Sequence, residues 1–337
     1  MNAQPKEKPV WICVSPTKNE SWVIDRFLGA AGTWADHIFV ADQGSTDGTR
    51  EMIARAPKSS LLSNEAQGFY EHHRQTLLLS AARKIPGKRI IVSLDADETL
   101  SAHCRTSPEW AKIEAAAPGT ILRFRWVNIL PGFERAWVCP GHVPLGYVDD
   151  GVDYVGGTIH GPRLPQPKDA PVLDLNDIVV LHFQYILWDR MASKQRWYQA
   201  WEFTRGKSGP LDIFRQYNHM HGGWEERDLC PVRPEWLEGF DRAGIDYRSL
   251  TCEPVTWWDR EVAGMLKERG PEYFRRIALW DYDWNAFARK VGMTGVDFSD
   301  PRSKFERIAH SWLKRTQKRR GDLSVRAFEK LLRLRGW

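Results

Sequence analysis

The apolar run Ile90-Ile91-Val92-Ser93-Leu94 passes directly into Asp95-Ala96-Asp97, and this junction constrains the chain more than any other. The run predicts a buried strand that ends in two carboxylates at alternate positions. Side chains at i and i+2 of a strand share a face, so both acids can point at one object beyond the strand's carboxyl end. Two hard oxygen ligands there suit Mg²⁺ or Mn²⁺, with a substrate pyrophosphate completing the shell. Taken alone, a D-x-D is equally a polar turn with two solvated acids, so its neighbours decide the matter.

Those neighbours repeat one pattern. Val10-Trp11-Ile12-Cys13-Val14 predicts a buried strand, followed by a turn at Ser15-Pro16-Thr17-Lys18-Asn19-Glu20. Trp22, Ile24, Phe27, Leu28 and Ala31 then recur with helical spacing. His37-Ile38-Phe39-Val40-Ala41 predicts a second strand, and the loop Asp42–Thr49 leads into a helix through Met52 and Ile53. Ser45, Thr46 and Asp47 are all suitable helix N-caps. A short strand at Ser60-Leu61-Leu62 and a helix over about residues 69–84 precede the strand that carries Asp95. Strands alternating with helices at this spacing predict an α/β domain with a mostly parallel, Rossmann-like sheet, helices on both faces and ligands at the carboxyl ends of the strands. After Thr120 the alternation of Ile121, Arg123, Arg125 and Val127 with Leu122, Phe124 and Trp126 predicts an antiparallel strand. Residues 131–177 are rich in Pro and Gly and read as long functional loops. Ile178–Phe183 predicts another strand, and from Trp188 the chain reads as mainly helical, broken near 206–234 and 292–302. The expected organisation is a catalytic domain over 8–205, a mainly helical extension over 206–301 that could face an acceptor, and a basic amphipathic helical tail over 302–337.

Charge follows that division. Residues 302–337 carry 12 Lys/Arg against 3 Asp/Glu, so the chain's +5 leaves about −4 on the rest. The basicity belongs to the tail, which argues against nucleic-acid binding by the body. No run of 18 apolar residues is present, and the start Met1-Asn2-Ala3-Gln4-Pro5-Lys6 lacks a signal-peptide layout. Five scattered cysteines, none spaced C-x-x-C, fit a reduced cytoplasm and give no zinc signature.

Three loops thus fall at carboxyl ends of neighbouring strands: Pro16-Thr17-Lys18-Asn19-Glu20, Asp42-Gln43-Gly44-Ser45-Thr46-Asp47-Gly48-Thr49, and Asp95-Ala96-Asp97-Glu98. In combination they resemble the nucleotide-sugar-binding half of the family 2 glycosyltransferases, whose fold is GT-A. That family's first loop ends in N-E, its second reads D-D-G-S-T-D-G-T and its metal motif reads D-A-D. The resemblance covers residues 8–100 closely and reaches loosely to 200. It implies an inverting transfer of a sugar from a nucleoside-diphosphate sugar to a hydroxyl of a glycan or glycolipid, with Mn²⁺ or Mg²⁺ as cofactor, as in bacterial lipopolysaccharide-core and other surface-glycan synthesis. It implies that Pro16 and Thr17 lie against base and ribose, that Asn19 and Glu20 sit near the ribose or base edge, and that Asp42 opens the base-reading loop held by Ser45. Arg74 would approach the diphosphate or base. Asp95, with Ala96, would accept from ribose or reach the metal through water, and Asp97 would ligate it. Gln43 departs from the family's second Asp. It offers both a donor and an acceptor, which leaves GDP-, ADP- and dTDP-sugars open beside UDP.

A general base is not legible. Asp150 is the first candidate, His160 the second, and Asp149 lies in the same acidic cluster. His182 closes an apolar strand, where a lone His is usually a satisfied core residue. GT-A enzymes often place a metal-ligating His late in the domain, and that is the alternative for His182. Two rival readings stand beside the transferase. Leu94-Asp95-Ala96-Asp97-Glu98-Thr99 also resembles the first motif of haloacid-dehalogenase-type phosphatases, with Asp95 as the nucleophile. A non-catalytic transferase-like scaffold is the other. The tail interleaves Phe305, Ile308, Trp312, Leu313, Leu323, Phe328, Leu331, Leu332, Leu334 and Trp337 with cations. Such a pattern either packs on the body or docks residues 303–337 on an anionic membrane surface, giving a cytoplasmic protein peripheral to the inner face of the plasma membrane.

Overall fold

The structure, a computed structural model, describes residues 8–65, 71–156, 161–206, 208–218 and 224–337. By contact the chain gathers into two compact units: Met1–Leu187 with Arg227–Thr251, and Trp188–Glu226 with Cys252–Trp337.

The first unit is an α/β layer structure on a mixed sheet. Strands β1 (Val10–Thr17), β2 (His37–Asp42), β3 (Ser59–Ser63) and β4 (Arg89–Ser93) alternate with helices α1 (Ile24–Gly32), α2 (Thr49–Arg55) and α3 (Glu71–Ala82). They pair in parallel in the order β4-β1-β2-β3. β1 is buried on both faces, as its unbroken apolar run requires. Trp11 and Cys13 pack with Phe27 and Leu28 of α1, and Ile12 and Val14 pack on the other face with Leu78 and Leu79 of α3. Trp11 stacks on Trp110 of α4 (Pro108–Ala115) at 3.6 Å between centroids, in the first of these two cores.

Beyond β4 the sheet turns largely antiparallel. β5 (Glu98–Leu100), β6 (Ile121–Ile129), β7 (Arg135–Val138), β8 (Val143–Val148), β9 (Val172–His182) and β10 (Leu229–Pro231) continue it. The alternating segment after Thr120 is β6, antiparallel to β7 and β8 but parallel to β9. Residues 131–177, expected as loops, contain β7, β8 and the first half of β9. Pro and Gly masked these strands in the sequence, and Gly146 explains one case. A Cβ there would stand 2.9 Å from Leu122 Cβ, so only glycine lets β8 lie against β6. β10 and α7 (Pro234–Arg242), separated in sequence, return to this unit, where Tyr247 stacks on Phe183 at 4.0 Å.

The second unit is helical. It comprises α5 (Trp188–Thr204), α6 (Pro210–Tyr217), α8 (Trp257–Arg269), α9 (Trp284–Lys290), α10 (Lys304–Arg315) and α11 (Leu323–Leu334). Ser303 and Glu306 close a reciprocal capping box at the start of α10. Much of the tail's apolar surface packs inward: Ala309, Leu313, Leu332 and Trp337 share a core with Leu211 and Phe214 of α6. Among the described residues, no helix is long and apolar enough to cross a membrane.

Candidate nucleotide and metal site

Parallel pairing of β4, β1 and β2 delivers the three loops to one edge of the sheet, where Thr17 is the register partner of Asp42 and Val14 that of Ser93. The first two loops are stitched together by side chain to backbone hydrogen bonds. Asn19 stands at φ +55°, a left-handed conformation that Asn tolerates better than most residues. Its amide donates to Ser45 Oγ (2.7 Å), and its Oδ1 accepts from the Thr46 amide (2.8 Å). The Glu20 amide donates to Thr49 Oγ1 (2.9 Å), and the Ser21 amide to Asp47 Oδ2 (3.0 Å). Burial raises the Asp47 carboxyl, but hydrogen bonds from Thr49 and Ser21 outweigh it and hold it below the usual carboxylate range. Gly48, at φ +97°, lets the loop enter α2.

Asp42 is fully buried, and its carboxylate is spent inside the loop. It accepts from the Ser45 amide (3.0 Å), the Ser45 hydroxyl and Arg50 Nη1 (2.8 Å). Its role here is to shape the loop. Ser45 is the partner through which it does so. Gln43 is half-exposed on the same loop, with its amide on the Thr17 carbonyl at 2.9 Å. Pro16 is half-buried and Thr17 buried at the end of β1. Glu20 accepts from the Trp22 indole at 2.6 Å. Arg74 lies on the first turn of α3 beside Glu71 (3.3 Å), whose other oxygen takes the Gly161 amide (3.0 Å).

The acidic motif divides into two halves with different partners. Asp95 Oδ2 is ion-paired to Arg163 Nη2 at 2.8 Å, and Arg163 also holds buried Glu98. The Arg163 guanidinium pays for its burial with these acids, which push its pKa above the ordinary arginine value. With one oxygen on a guanidinium, Asp95 does not stand as an open nucleophile. Asp97 is turned the other way. It is 5% exposed and lies 3.5 Å, Oδ2 to Nε2, from His182, itself 4% exposed. Ala96, between the two acids, is buried.

His182 is positioned by three neighbours. It is the register partner of Glu98 on β5 and of Asn128 on β6. Its ring stacks on Trp126 at 4.7 Å, and its Nδ1 is 2.9 Å from Asn128 Oδ1. Nδ1 also lies 3.2 Å from Gln184 Nε2, and Nε2 is the ring nitrogen that faces Asp97. An imidazole nitrogen and a carboxylate oxygen facing each other across 3.5 Å are two groups that one cation between them would engage together. Among the described residues no group of three or more His, Cys, Asp and Glu is placed to hold a metal ion by itself.

The candidate bases do not join this edge. β8 runs antiparallel to β4 with Val148 opposite Ile90, which sends Asp149 and Asp150 to the amino end of β4. The Asp149 carboxylate is buried between Arg83 (2.9 Å) and Arg89 (2.9 Å), an architectural clamp. Asp150 accepts from the Tyr147 hydroxyl (2.7 Å) and the Val152 amide (3.0 Å). His160 lies outside the described residues. Sequence reasoning missed Arg163 and Asn128. The Arg163 position carried no signal beyond its being a basic residue near the acidic cluster. Asn128, a polar residue within a strand, was a signal that could have been used.

No family model matches the chain, and no curated protein matches it. Among solved structures, 4-diphosphocytidyl-2C-methyl-D-erythritol synthase is 15% identical over 42% of this chain and 73% of its own, with a TM-score of 0.25. HddC from Yersinia pseudotuberculosis is 9% identical over 52% of this chain and 93% of its own, with a TM-score of 0.29. Both likenesses are partial and carry no weight for function.

The Asp149 clamp yields a direct expectation. Asp149→Ala removes the shared carboxylate from two half-buried guanidinium groups, leaving them only main-chain carbonyl acceptors, and should destabilise the protein by about 3 kcal/mol, measured by urea denaturation. Nucleotide binding per folded molecule should be unchanged. Wild-type stability with lost transfer activity would instead make Asp149 catalytic.

Proposed function

We propose that the protein is a metal-dependent glycosyltransferase of the GT-A type, which moves a sugar from a nucleoside-diphosphate sugar to a hydroxyl of a glycan or glycolipid in surface-polysaccharide synthesis. The observation that carries this reading is the pairing of buried Asp97 with Nε2 of His182, beside two interlocked loops at the carboxyl ends of β1 and β2. The donor set fits a divalent ion: one carboxylate and one imidazole nitrogen suit Mn²⁺ better than Mg²⁺, and diphosphate oxygens from the donor would fill the remaining positions. When bound, such an ion would neutralise the charge that develops on the departing diphosphate. The chain's own residues do the rest. Asn19 and Ser45 hold the base-facing loops in one shape before the donor arrives. Gln43 offers its amide to the base. Arg163 holds Asp95 and Glu98 in place beside Asp97.

A thermal-shift series with UDP, GDP, ADP and dTDP, each with and without Mn²⁺, tests this. One nucleotide should stand out at saturating concentration, since 100 times the dissociation constant stabilises by about 2.7 kcal/mol. Asp97→Ala and His182→Ala should each lose the metal-dependent part of the shift and stay folded. Undiminished stabilisation in excess chelator would sink the metal assignment.

We infer further that the acceptor side involves an anionic membrane surface. What supports this is a stripe on α11: Leu323 and Leu334 are 81% and 79% exposed, Leu331 is 42% exposed, and Ala327 lies between them at helical spacing. Arg326 and Lys330 are exposed beside it, each contributing roughly 1 kcal/mol near anionic headgroups. The intact protein should float with anionic liposomes at low salt and detach as salt rises, and Leu323→Ser with Leu334→Ser should stay at the bottom of the gradient. Equal flotation of that double variant would refute the stripe.

A further inference from the structure

β9 joins the sheet in two stretches. The first pairs with β6 as far as Leu175 opposite Phe124, and pairing resumes with Val179 opposite Arg125. At this point β6 advances by one residue and β9 by four, so Asn176, Asp177 and Ile178 form a bulge of three extra residues. Side chains change face at every residue of a strand, and an odd insertion therefore reverses every face beyond it. The bulge thus decides both where His182 falls and which face it occupies. With it, His182 stands opposite Asn128; continuous pairing from Leu175 would put Val179 there instead.

Amides in a bulge leave the ladder and need other acceptors. All three here converge on one carboxylate. Glu109 Oε1 accepts from the Asn176 amide (2.9 Å), and Oε2 accepts from the amides of Asp177 (3.0 Å) and Ile178 (2.9 Å). A second link comes from the residue that caps the same helix. The Ser107 hydroxyl donates to Asp177 Oδ2, and this hydrogen bond is the main cause that holds the Asp177 carboxyl below the usual carboxylate range. An acid in the first turn of a helix is favoured by the helix dipole alone, but three strand amides converging on it are no part of that role.

Glu109 is itself fixed to the parallel half of the sheet. It lies on the first turn of α4, and its neighbour Trp110 stacks on Trp11 of β1 at 3.6 Å. β1 pairs with β4, the strand that leads to Asp97. Past the bulge the ladder takes up at once. The Ser101 amide donates to the Val179 carbonyl (2.9 Å), and Val180 and Leu181 pair with both β5 and β6. Only the ladder residues Val179, Val180 and Leu181 separate the clamped bulge from His182.

We propose that Glu109 is a positioning residue for the Asp97–His182 pair: by holding the amides of 176–178 it sets the point at which β9 re-enters the sheet, and so keeps His182 Nε2 facing Asp97. The consequence for metal binding rests on the transferase reading above, whereas the placement of His182 does not.

Glu109→Ala and Glu109→Gln in the full chain test this by two readouts. In the first, ¹⁵N-histidine spectra report the His182 ring, assigned by its loss in His182→Gln. Its signals should move in Glu109→Ala, and hydrogen exchange at the amides of 176–178 should quicken. In the second, Mn²⁺ is titrated with UDP, GDP, ADP and dTDP present in turn and followed by electron paramagnetic resonance. With the nucleotide that supports binding, Glu109→Ala should weaken manganese affinity about tenfold. Glu109→Gln, which keeps one acceptor oxygen, should fall between Glu109→Ala and the wild type in both readouts; it carries the same comparison if Glu109→Ala does not fold. Asp149→Ala, which loses a clamp at the amino end of β4, should move neither readout, and this separates positioning from general destabilisation. An unmoved His182 ring in the folded Glu109 variants overturns the proposal, whether or not the wild type binds manganese. So does a His182 shift or a loss of manganese affinity that is equally large in Asp149→Ala.

Discussion

The docking of β9 between β5 and β6 is the constraint on which the candidate site depends. It sets His182 opposite both Glu98 and Asn128. Asn128 Oδ1 lies 2.9 Å from His182 Nδ1, which leaves Nε2 facing Asp97. Trp126 fixes the ring plane, and the Phe183 amide holds the Asp97 carbonyl at 2.9 Å. A side-chain pair more than eighty residues apart in sequence is thereby held to one geometry by backbone ladders, which deform far less readily than loops.

Around that pair the acids of one short motif are given different work. Asp95 and Glu98 share the Arg163 guanidinium, while Asp97 faces the imidazole. Arg163 follows β8 in the chain, whereas the Asp149 clamp on Arg83 and Arg89 sits at the amino end of β4, away from this pair.

Much of the parallel half was legible from local pattern. Val10–Val14, His37–Ala41 and Ile90–Leu94 were apolar without alternation because both faces are buried, and the Gly-containing loop between β2 and α2 announced a turn into a helix. In the antiparallel half β6 and the end of β9 were legible from alternation and an apolar run, but β7 and β8 were not, because their pairing is set by long-range contacts. Asp149 and Asp150 looked like site residues in sequence, yet the reversal of β8 carries them away from Asp97. Pro144 and Gly146 hid β8, a strand that exists only because its neighbours receive it. The tail was ambiguous because an amphipathic helix writes the same pattern for a core and for a surface. Here α10 turns Leu313 inward, and α11 buries Leu332 while leaving Leu323 and Leu334 exposed.

The central claim is that Asp97 and His182 together hold a divalent ion under a nucleoside diphosphate. Anomalous diffraction from crystals soaked in Mn²⁺ with the preferred diphosphate addresses it atom by atom. The account predicts one strong manganese peak at about 2.0–2.3 Å from both the Asp97 carboxylate and His182 Nε2, with nucleotide density along the Asn19 and Gln43 loops. Manganese bound elsewhere, or nucleotide ordered on those loops with no metal peak between Asp97 and His182, would contradict it.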